Sequence, residues 1–442
     1  MSSRSMMPDS DLAALSRQVE EAMPKAGLFA GKTWRVSPMP FPLRPSVVEA
    51  LRHYGYHLWR FQRAADLLYR RSVNGTAPEW VAGLLDLGKP PEVIDLGRSR
   101  AVAPDLPHIL RPDFLLGEGG QLHMTELDSL PGGIGLTAWL NETYQGLGWK
   151  PIGADGMVEG FAKVLSGGDI FVSDESADYR PEMEWLAQRL GQREGREVAV
   201  HNQNGPARET GRLYRFFELF DLAALPTGGA MRNAAQHGRL QMTPPPKAFL
   251  EEKLWLALLW LKPLQAYWIR ELGRRHFERL REVIPRAWIM DPTPLPYHAE
   301  FGGLGLASLG ELAELSQRER MFALKISGFS PLAWGSRGVV IGHDTPQDEW
   351  AAAISHAIAS FPNNPWILQR FVSGQIVEHP VWDPQSGTVG RVKARVRLCP
   401  YFFSWEDNVQ LGGVLATLVP IDKKLIHGMS DAILVPCMEA ED

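Results

Sequence analysis

The segment 111–137 constrains the fold of this chain more than any other, and it reads RPDFLLGEGGQLHMTELDSLPGGIGLT. Two short apolar runs flank a Gly-rich turn, and a Pro-Gly-Gly loop then leads into a helix near Leu136. Side chains alternate along a strand, so Glu126 and Asp128 point to one face, about 7 Å apart. The segment therefore predicts a β-hairpin that carries acidic side chains on one face.

The pairing within this hairpin decides which charged side chains meet. A turn of four residues would place Asp113 opposite Met124. Arg111 would then lie opposite Glu126, and the three carboxylates would share a face with the arginine. Three carboxylates beside one arginine repel each other unless a cation lies among them, and Mg²⁺ carrying a polyphosphate suits oxygen ligands. The pattern indicates either a metal site at Asp113, Glu126 and Asp128 or a hairpin whose acidic side chains are exposed to water.

Composition restricts the class of protein. The chain has 442 residues, of which 45% are hydrophobic, enough for two or three packed domains. A net charge of −5 argues against nucleic acid or anionic membrane as the main partner. The two cysteines, Cys399 and Cys437, cannot form a disulfide framework or a thiolate metal site, which favours a reducing cytoplasm. No signal peptide and no apolar run of about 18 residues is apparent, so we expect neither export nor membrane insertion.

The hydrophobic pattern predicts three regions. Residues 1–150 contain N-terminal helices, over 10–24, 46–71 and near 77–87, followed by the hairpin. Residues 151–245 are expected to form a small open α/β domain, because DIFVSD, PEMEWLAQRL and REVAVHN read as one strand–helix–strand unit. The next run, GRLYRFFELFDL, predicts a strand that passes into a helix. Residues 246–442 would supply a helical segment (248–282) and further strands.

A lysine lies inside the apolar strand MFALKI. Burying an unpaired ammonium is costly, so Lys325 is expected either to meet an anion or to reach water from an edge strand. The turn that follows, with Gly335, Ser336 and Gly338, could direct backbone N–H groups at phosphate oxygens. It is not a Walker A loop, which needs G-x-x-x-x-G-K-[ST].

Two later segments carry candidate site residues. The strand WILQRFV (366–372) could read an adenine edge through its backbone, although any buried strand would look similar. Arg391, Arg395 and Arg397 fall on one face of the next long strand, where they could neutralise a transferring phosphoryl group or form a solvated face. There is no H-E-x-x-H, no G-x-S-x-G and no activated cysteine.

Taken in order, RPDFLL…HMTELDSLPGGIG, EEKLWLALL, ALKISGFSPLAWGSRGVV and WILQRFV resemble the ATP-grasp superfamily. The order is similar to that of its circularly permuted branch, which includes glutathionylspermidine-synthase-like ligases. The resemblance covers most of residues 105–430. It implies an α/β (mixed α+β) ATP-grasp fold with a small pre-ATP-grasp α/β domain (151–245) and a lid subdomain within 246–442.

The same resemblance implies a role for each candidate residue. Asp113, Glu126 and Asp128 would be metal ligands, although Asp128 stands where the family usually has Asn. Arg111 would lie beside the γ-phosphate, and Arg395 or Arg397 would stabilise an acyl phosphate. The nucleotide would be held by two lysines, a glycine-rich turn and a strand: Lys253, Lys325, Gly335, Ser336, Gly338, Gln369, Arg370, Phe371 and Val372.

The resemblance therefore implies an ATP- and Mg²⁺-dependent carboxylate–amine ligase that forms an amide through an acyl phosphate. Its partners would be a small-molecule or peptide carboxylate and an amine, with no nucleic acid and no membrane, and a homodimer remains open. One alternative is a kinase or phosphotransferase, which would give a stable phosphoester and no hydroxamate with hydroxylamine. The other is a non-catalytic nucleotide-binding protein, which would be expected to lack a metal carboxylate.

Overall fold

A computed structural model of the chain describes residues 7–24, 26–29, 34–294, 301–333, 337–422 and 431–441. The chain divides into two compact units, each made of separate stretches of sequence. Unit 1 comprises Met1–Trp59, Asp105–Pro245 and Gly374–Asp442, and unit 2 comprises Arg60–Pro104 and Pro246–Ser373. The three-region division of the sequence stays a prediction.

Helices and strands are interspersed along the chain, as in a mixed α/β protein. In chain order they are α1 (Asp9–Ala22), α2 (Pro45–Val73), α3 (Trp80–Asp86), α4 (Pro91–Arg98), α5 (Ile134–Gly146), α6 (Gly156–Leu165), α7 (Arg180–Glu194), α8 (Gly228–Gln236), α9 (Leu254–Leu258), α10 (Gln265–Leu272), α11 (Arg274–Val283) and α12 (Gln347–Ala359). The long helix predicted over 46–71 is confirmed, as are those over 10–24 and near 77–87. The segment 248–282 is helical but interrupted, because Pro263 and Gly273 separate its pieces.

The strands form three sheets. In chain order they are β1 (Phe41–Leu43), β2 (Ile109–Leu116), β3 (Leu122–Asp128), β4 (Asp169–Val172), β5 (Val200–Asn202), β6 (Gly211–Phe216), β7 (Leu240–Thr243), β8 (Ala287–Ile289), β9 (Phe322–Ile326), β10 (Val339–Ile341), β11 (Trp366–Arg370), β12 (Ile376–Asp383), β13 (Thr388–Trp405), β14 (Asn408–Pro420) and β15 (Ile433–Glu439). The predicted mixed α/β fold class is confirmed.

The largest sheet belongs to unit 1 and has the order β1-β15-β14-β13-β2-β3, with β12 paired to β13. Its central strand β13 is buried continuously from Leu398 to Ser404. Apolar side chains there, including Phe402 and Phe403, exclude water from both faces. The sheet therefore gives the β2–β3 hairpin a rigid neighbour along β2.

A second sheet of unit 1, in the order β5-β4-β6-β7, is fully parallel. The strand–helix–strand unit β4-α7-β5 is confirmed. The helix predicted directly after β6 is wrong, because residues 217–225 form turns and α8 begins only at Gly228. One reason is Arg215, which is fully buried and donates from Nη1 to the carbonyl of Phe217 at 2.7 Å, occupying an acceptor that a helix would use.

Unit 2 contains the sheet β10-β9-β11-β8, which is antiparallel throughout. It packs on α12 through a tryptophan-rich core that includes Trp288, Trp350 and Trp366. The predicted strands around Lys325 and Gln369 are confirmed as β9 and β11, which are direct neighbours. Within the described ranges no helix is long and apolar enough to span a membrane.

Candidate functional site

The β2–β3 hairpin brings four charged residues together by a route that differs from the predicted one. The predicted pairing of Asp113 with Met124 is wrong, because Met124 lies opposite Phe114. A bulge then follows, so that Asp113 pairs with Glu126 and Arg111 with Asp128. The extra residue Thr125 donates from Oγ1 to the carbonyl of Asp113 at 3.2 Å. Arg111, Asp113, Glu126 and Asp128 therefore share one face.

Asp113 is the centre of this cluster. Its side chain is 5% exposed and both carboxylate oxygens face guanidinium groups. Oδ1 lies 3.2 Å from Nε of Arg111, and Oδ2 accepts a hydrogen bond from Nη1 of Arg397 at 3.0 Å. Arg111 also reaches Asp128, with 3.1 Å between Nη2 and Oδ2. Two arginines thus compensate the charges of Asp113 and Asp128.

Burial and charge act against each other at these groups. Burial disfavours the charged arginines, but the carboxylates of Asp113 and Asp128 outweigh it and raise the pKa of Arg111. The pKa of Arg397 is raised in the same way, against burial, mainly by Asp113. Burial raises the pKa of Asp128, Arg111 opposes the shift, and the neighbouring Glu126 adds to it. The cluster holds both arginines charged and shifts Asp128 towards its protonated form.

Strand β13 adds two further groups that the sequence reasoning missed. Cys399 donates from Sγ to Oδ1 of Asp113 at 3.4 Å, and burial, followed by this carboxylate, raises its pKa to about 12. Tyr401 donates to the carbonyl of Gly132 at 2.8 Å, and Arg111 donates to the same carbonyl at 3.4 Å. Cys399 and Tyr401 continue the alternation of the predicted arginine face, so this signal was present in the sequence.

The Pro-Gly-Gly loop is shaped by this contact. Gly133 has φ of 89°, and a Cβ there would lie 2.5 Å from the hydroxyl oxygen of Tyr401. A Cβ on Gly132 would lie 2.3 Å from the ring of Tyr179. Both positions therefore require glycine. The helix start beyond the loop is already occupied, because the amide of Gly135 donates to Oε1 of buried Glu182 at 3.0 Å.

The metal role of Asp113, Glu126 and Asp128 stays a prediction, and the contacts of these side chains show how well each fits it. Among the described residues, no group of three His, Cys, Asp or Glu side chains is arranged to hold a metal ion. Asp113 does not fit this role, since each of its oxygens faces an arginine. Glu126 and Asp128 remain as candidate donors. Two carboxylates fit Mg²⁺, which proteins usually bind through one or two carboxylates together with substrate phosphates.

The third predicted catalytic residue, Arg395, contacts the end of β14. Arg395 donates from Nη2 to the carbonyl of Ile421 at 3.1 Å, at an exposed position. Arg397, from the same predicted arginine face, contacts the cluster through Asp113. Arg397 also has a buried Nε that donates to no acceptor in the part of the chain that the structure describes.

Unit 2 contains the predicted lysines in a separate arrangement. Lys325 is 7% exposed and Gln369 is 2% exposed, and Nζ of the lysine donates to Oε1 of the glutamine at 2.8 Å. They lie diagonally across neighbouring strands, because Lys325 is directly opposite Ile367. The amide Nε2 of Gln369 is buried and has no hydrogen-bond partner among the described residues. Lys325 is thus a buried lysine, and the edge-strand alternative is wrong.

The other predicted lysine touches a loop. Lys253 donates from Nζ to the carbonyl of Ala333 at 2.7 Å. The preceding residue, Glu252, forms an ion pair with Lys89 that is almost fully buried. Glu252 also accepts a hydrogen bond from the amide of Gly328 at 2.8 Å. These contacts fix the loop that follows β9.

Two backbone N–H groups at the end of the predicted adenine-binding strand already donate hydrogen bonds within the protein. The amide of Arg370 donates to the carbonyl of Arg286 at 2.8 Å, and that of Phe371 donates to Met321 at 2.9 Å. These two N–H groups are therefore paired within the protein, and the adenine-binding role of the strand stays a prediction. Val372 directly follows them.

In the predicted phosphate turn, Gly335 and Ser336 lie outside the described residues. A Cβ on Gly338 would lie 2.3 Å from the side chain of Ile326, so glycine there permits close packing.

Comparison with known proteins gives a fold-level likeness. No family model matches the chain. No curated protein sequence matches it either. A glutathione synthetase-like effector from Globodera pallida, solved in apo form, is similar over 99% of both chains, with a TM-score of 0.57 and 11% identity. A protein of Methylobacillus flagellatus KT, provisionally assigned as a gamma-glutamylcysteine synthetase, aligns over 89% of this chain and 87% of its own, with a TM-score of 0.40 and 11% identity. The first likeness shows a glutathione synthetase-like fold.

Proposed function

We propose that the protein is an ATP-dependent ligase of the circularly permuted ATP-grasp type, joining a carboxylate to an amine. The observation that carries the proposal is the cluster in which Asp113 holds Arg111 and Arg397 beside Glu126 and Asp128. The glutathione synthetase-like fold supports it, since the effector similar to this chain is named after such a ligase.

The reaction follows from what the residues can do. A carboxylate oxygen of the acid substrate attacks the γ-phosphorus of ATP, ADP leaves, and the amine then displaces phosphate from the acyl phosphate. Charge develops on the phosphoryl oxygens, and Arg111 with Arg397 can stabilise it, because Asp113 fixes both before substrate arrives. Bidentate guanidinium groups suit carboxylate and phosphoryl oxygens equally.

Metal and nucleotide would be bound by the remaining groups. Glu126 and Asp128 would hold Mg²⁺, which, when bound, neutralises phosphate charge. In unit 2, the ammonium of Lys325 and the amide of Gln369 are suited to phosphate and to polar atoms of a nucleotide respectively. Lys253 could serve the same purpose once it leaves the carbonyl of Ala333.

Hydroxylamine trapping tests the proposal. The protein is incubated with ATP, Mg²⁺ and pools of carboxylates, and ADP and hydroxamate are both measured. We expect ADP and hydroxamate in equal amounts with one pool, and a loss of at least about 100-fold in Glu126→Gln, the scale of losing one electrostatic stabiliser. Glu118→Gln, at an exposed position in the turn of the same hairpin, is the matched control. A stable phosphoester without hydroxamate would instead establish a kinase, and no ATP consumption with any pool would refute an enzyme of this class.

A further inference from the structure

Unit 1 contains a second cleft that the proposed reaction does not use. It has a volume of about 400 Å³ and is lined by Leu116 and Gly120, at the turn end of the hairpin. Arg111 lies five residues away from Leu116 along β2, a distance of roughly 16 Å in an extended strand. The cleft is therefore separate from the charge cluster, and its size is within the range of small-ligand sites.

The cleft follows an unpaired strand edge. Among the described residues β12 pairs with β13 alone. The amide of Trp382 points away from that ladder and donates to the carbonyl of Val36 at 2.9 Å. Backbone direction alternates in an antiparallel pair, so the N–H and C=O groups of Glu378 also point away from β13. Within the described ranges, Glu378 makes no backbone hydrogen bond outside that ladder. Glu378 and its neighbour His379, whose side chains point to opposite faces of β12, both line the cleft.

The walls combine apolar and charged groups. The apolar part comes from Leu12 of α1, Met39 before β1, Leu43 of β1, Val47 of α2 and Leu116 of β2. Arg44 and Arg391 line it, and so do Asp9 and Glu378. Arg391 has no hydrogen bond or ion pair in the part of the chain that the structure describes, whereas Arg44 donates to the carbonyl of Gly119 at 3.3 Å. Two positive and two negative side chains match a zwitterion better than an anion or a cation.

A neutral histidine completes the cleft. His379 is 1% exposed and its Nε2 lies 2.9 Å from Oγ of Ser37. Its ring also contacts Phe41, with 5.8 Å between the centroids. The floor between β1 and β12 is therefore apolar and uncharged, which suits an aliphatic side chain.

We propose that this cleft binds a short peptide with free termini, two to four residues long, as an added strand on the edge of β12 at Glu378. The backbone of the peptide pairs with the outward N–H and C=O of Glu378, in the manner of β-strand addition. Its carboxylate meets Arg391, its ammonium meets Asp9 or the Glu378 carboxylate, and its aliphatic side chains face the apolar wall.

Titration calorimetry of the full chain with the tripeptide Leu-Ala-Val tests each element. The free peptide is expected to bind, and its C-terminal amide to bind about 10-fold more weakly, the lower scale of a hydrogen bond between charged groups. Two further peptides carry N-methyl groups, one on the Ala amide and one on the Val amide. Only one of them should lose binding, because a paired strand uses alternate amides.

Variants of β13 locate the site. Arg391→Gln should bind the acid peptide and the amide peptide with equal affinity. Lys393 lies on the same strand but does not line the cleft, so Lys393→Gln should still bind the acid peptide about 10-fold more tightly than the amide. Several results would overturn the proposal: no binding at millimolar peptide, equal binding of acid and amide by the wild type, both N-methyl peptides tolerated, or equal effects of the two variants. A dimer in sedimentation that closes the cleft to peptide would also overturn it. None of these measurements uses ATP, so the ligase proposal stands or fails separately.

Discussion

Asp113→Asn is the most informative perturbation of the charge cluster. Asparagine keeps the shape of the side chain but removes the charge that both arginines face. Removing one partner of a buried ion pair costs about 3–5 kcal/mol, because the other charge stays buried without compensation. Arg111 keeps Asp128 at 3.1 Å, so we expect the lower end of that range, about 3 kcal/mol. At about 2–4 °C per kcal/mol for a domain of this size, the melting temperature should fall by roughly 6–12 °C.

Thermal denaturation near neutral pH measures this change. Glu118→Gln removes an exposed carboxylate from the same hairpin and should move the midpoint by less than about 2 °C. A double-mutant cycle with Arg397→Gln isolates the pair, and we expect a coupling of at least about 1 kcal/mol between Asp113 and Arg397. A midpoint for Asp113→Asn within about 2 °C of the wild type, or a coupling near zero, would refute Asp113 as the residue that fixes the arginines.

Three further predictions concern buried polar groups. Lys325→Met should destabilise the free protein by about 1–3 kcal/mol, because it leaves the side-chain oxygen of Gln369 without its donor. The double variant Lys325→Met/Gln369→Leu should recover most of the lost stability, as measured by denaturant titration. Burial lowers the pKa of His379 to about 4. The free energy of unfolding should therefore be highest above about pH 6.5 and should fall by about 3 kcal/mol as the pH falls towards 4, because the unfolded chain binds the proton first. His379→Gln should remove this loss when stability is measured against pH. Burial, followed by Glu175, raises the pKa of Asp221 to about 6, so stability decreases as the pH rises from about 4 to 6. Asp221→Asn should therefore stabilise the protein by about 1–2 kcal/mol at pH 7 and leave it unchanged near pH 4, and equal effects at both values would contradict the shift.

The hairpin shows how far the sequence could predict the site. The shared face of Arg111, Asp113 and the two later carboxylates was predicted, but from the wrong pairing. The turn is one residue longer than assumed, since Leu116 pairs with Leu122, and this alone would have put Glu126 on the opposite face. The bulge at Thr125 shifts the pairing once more and restores the face. Turn length and bulge position depend on packing against β13, which the sequence of the hairpin does not contain.

The sequence predicted that a cation would lie among the carboxylates, but it did not predict that this cation would be Arg397. Three carboxylates on one face were expected to need a cation, and the guanidinium of Arg397 lies 3.0 Å from Asp113. Arg397 was already placed on the same strand face as Arg395. Which of them reaches β2 depends on a long-range register, in which Arg397 lies opposite Leu115. Residues more than 280 positions apart in sequence carry no local signal of that contact.

Lys325 was expected to meet an anion or to reach water from an edge strand, and the structure places it in the interior strand β9 beside Gln369. The acceptor 2.8 Å from its ammonium is the amide oxygen of Gln369, a neutral group. The other end of the same amide, Nε2 of Gln369, is buried without a hydrogen-bond partner among the described residues. A ligand with an oxygen acceptor beside Gln369 would satisfy this amide, and its charge would lie close to Lys325. The melting temperature should therefore rise with ATP and Mg²⁺ in the wild type, and Lys325→Met should lose most of that shift, whereas a variant that keeps the full shift would place Lys325 outside any nucleotide site.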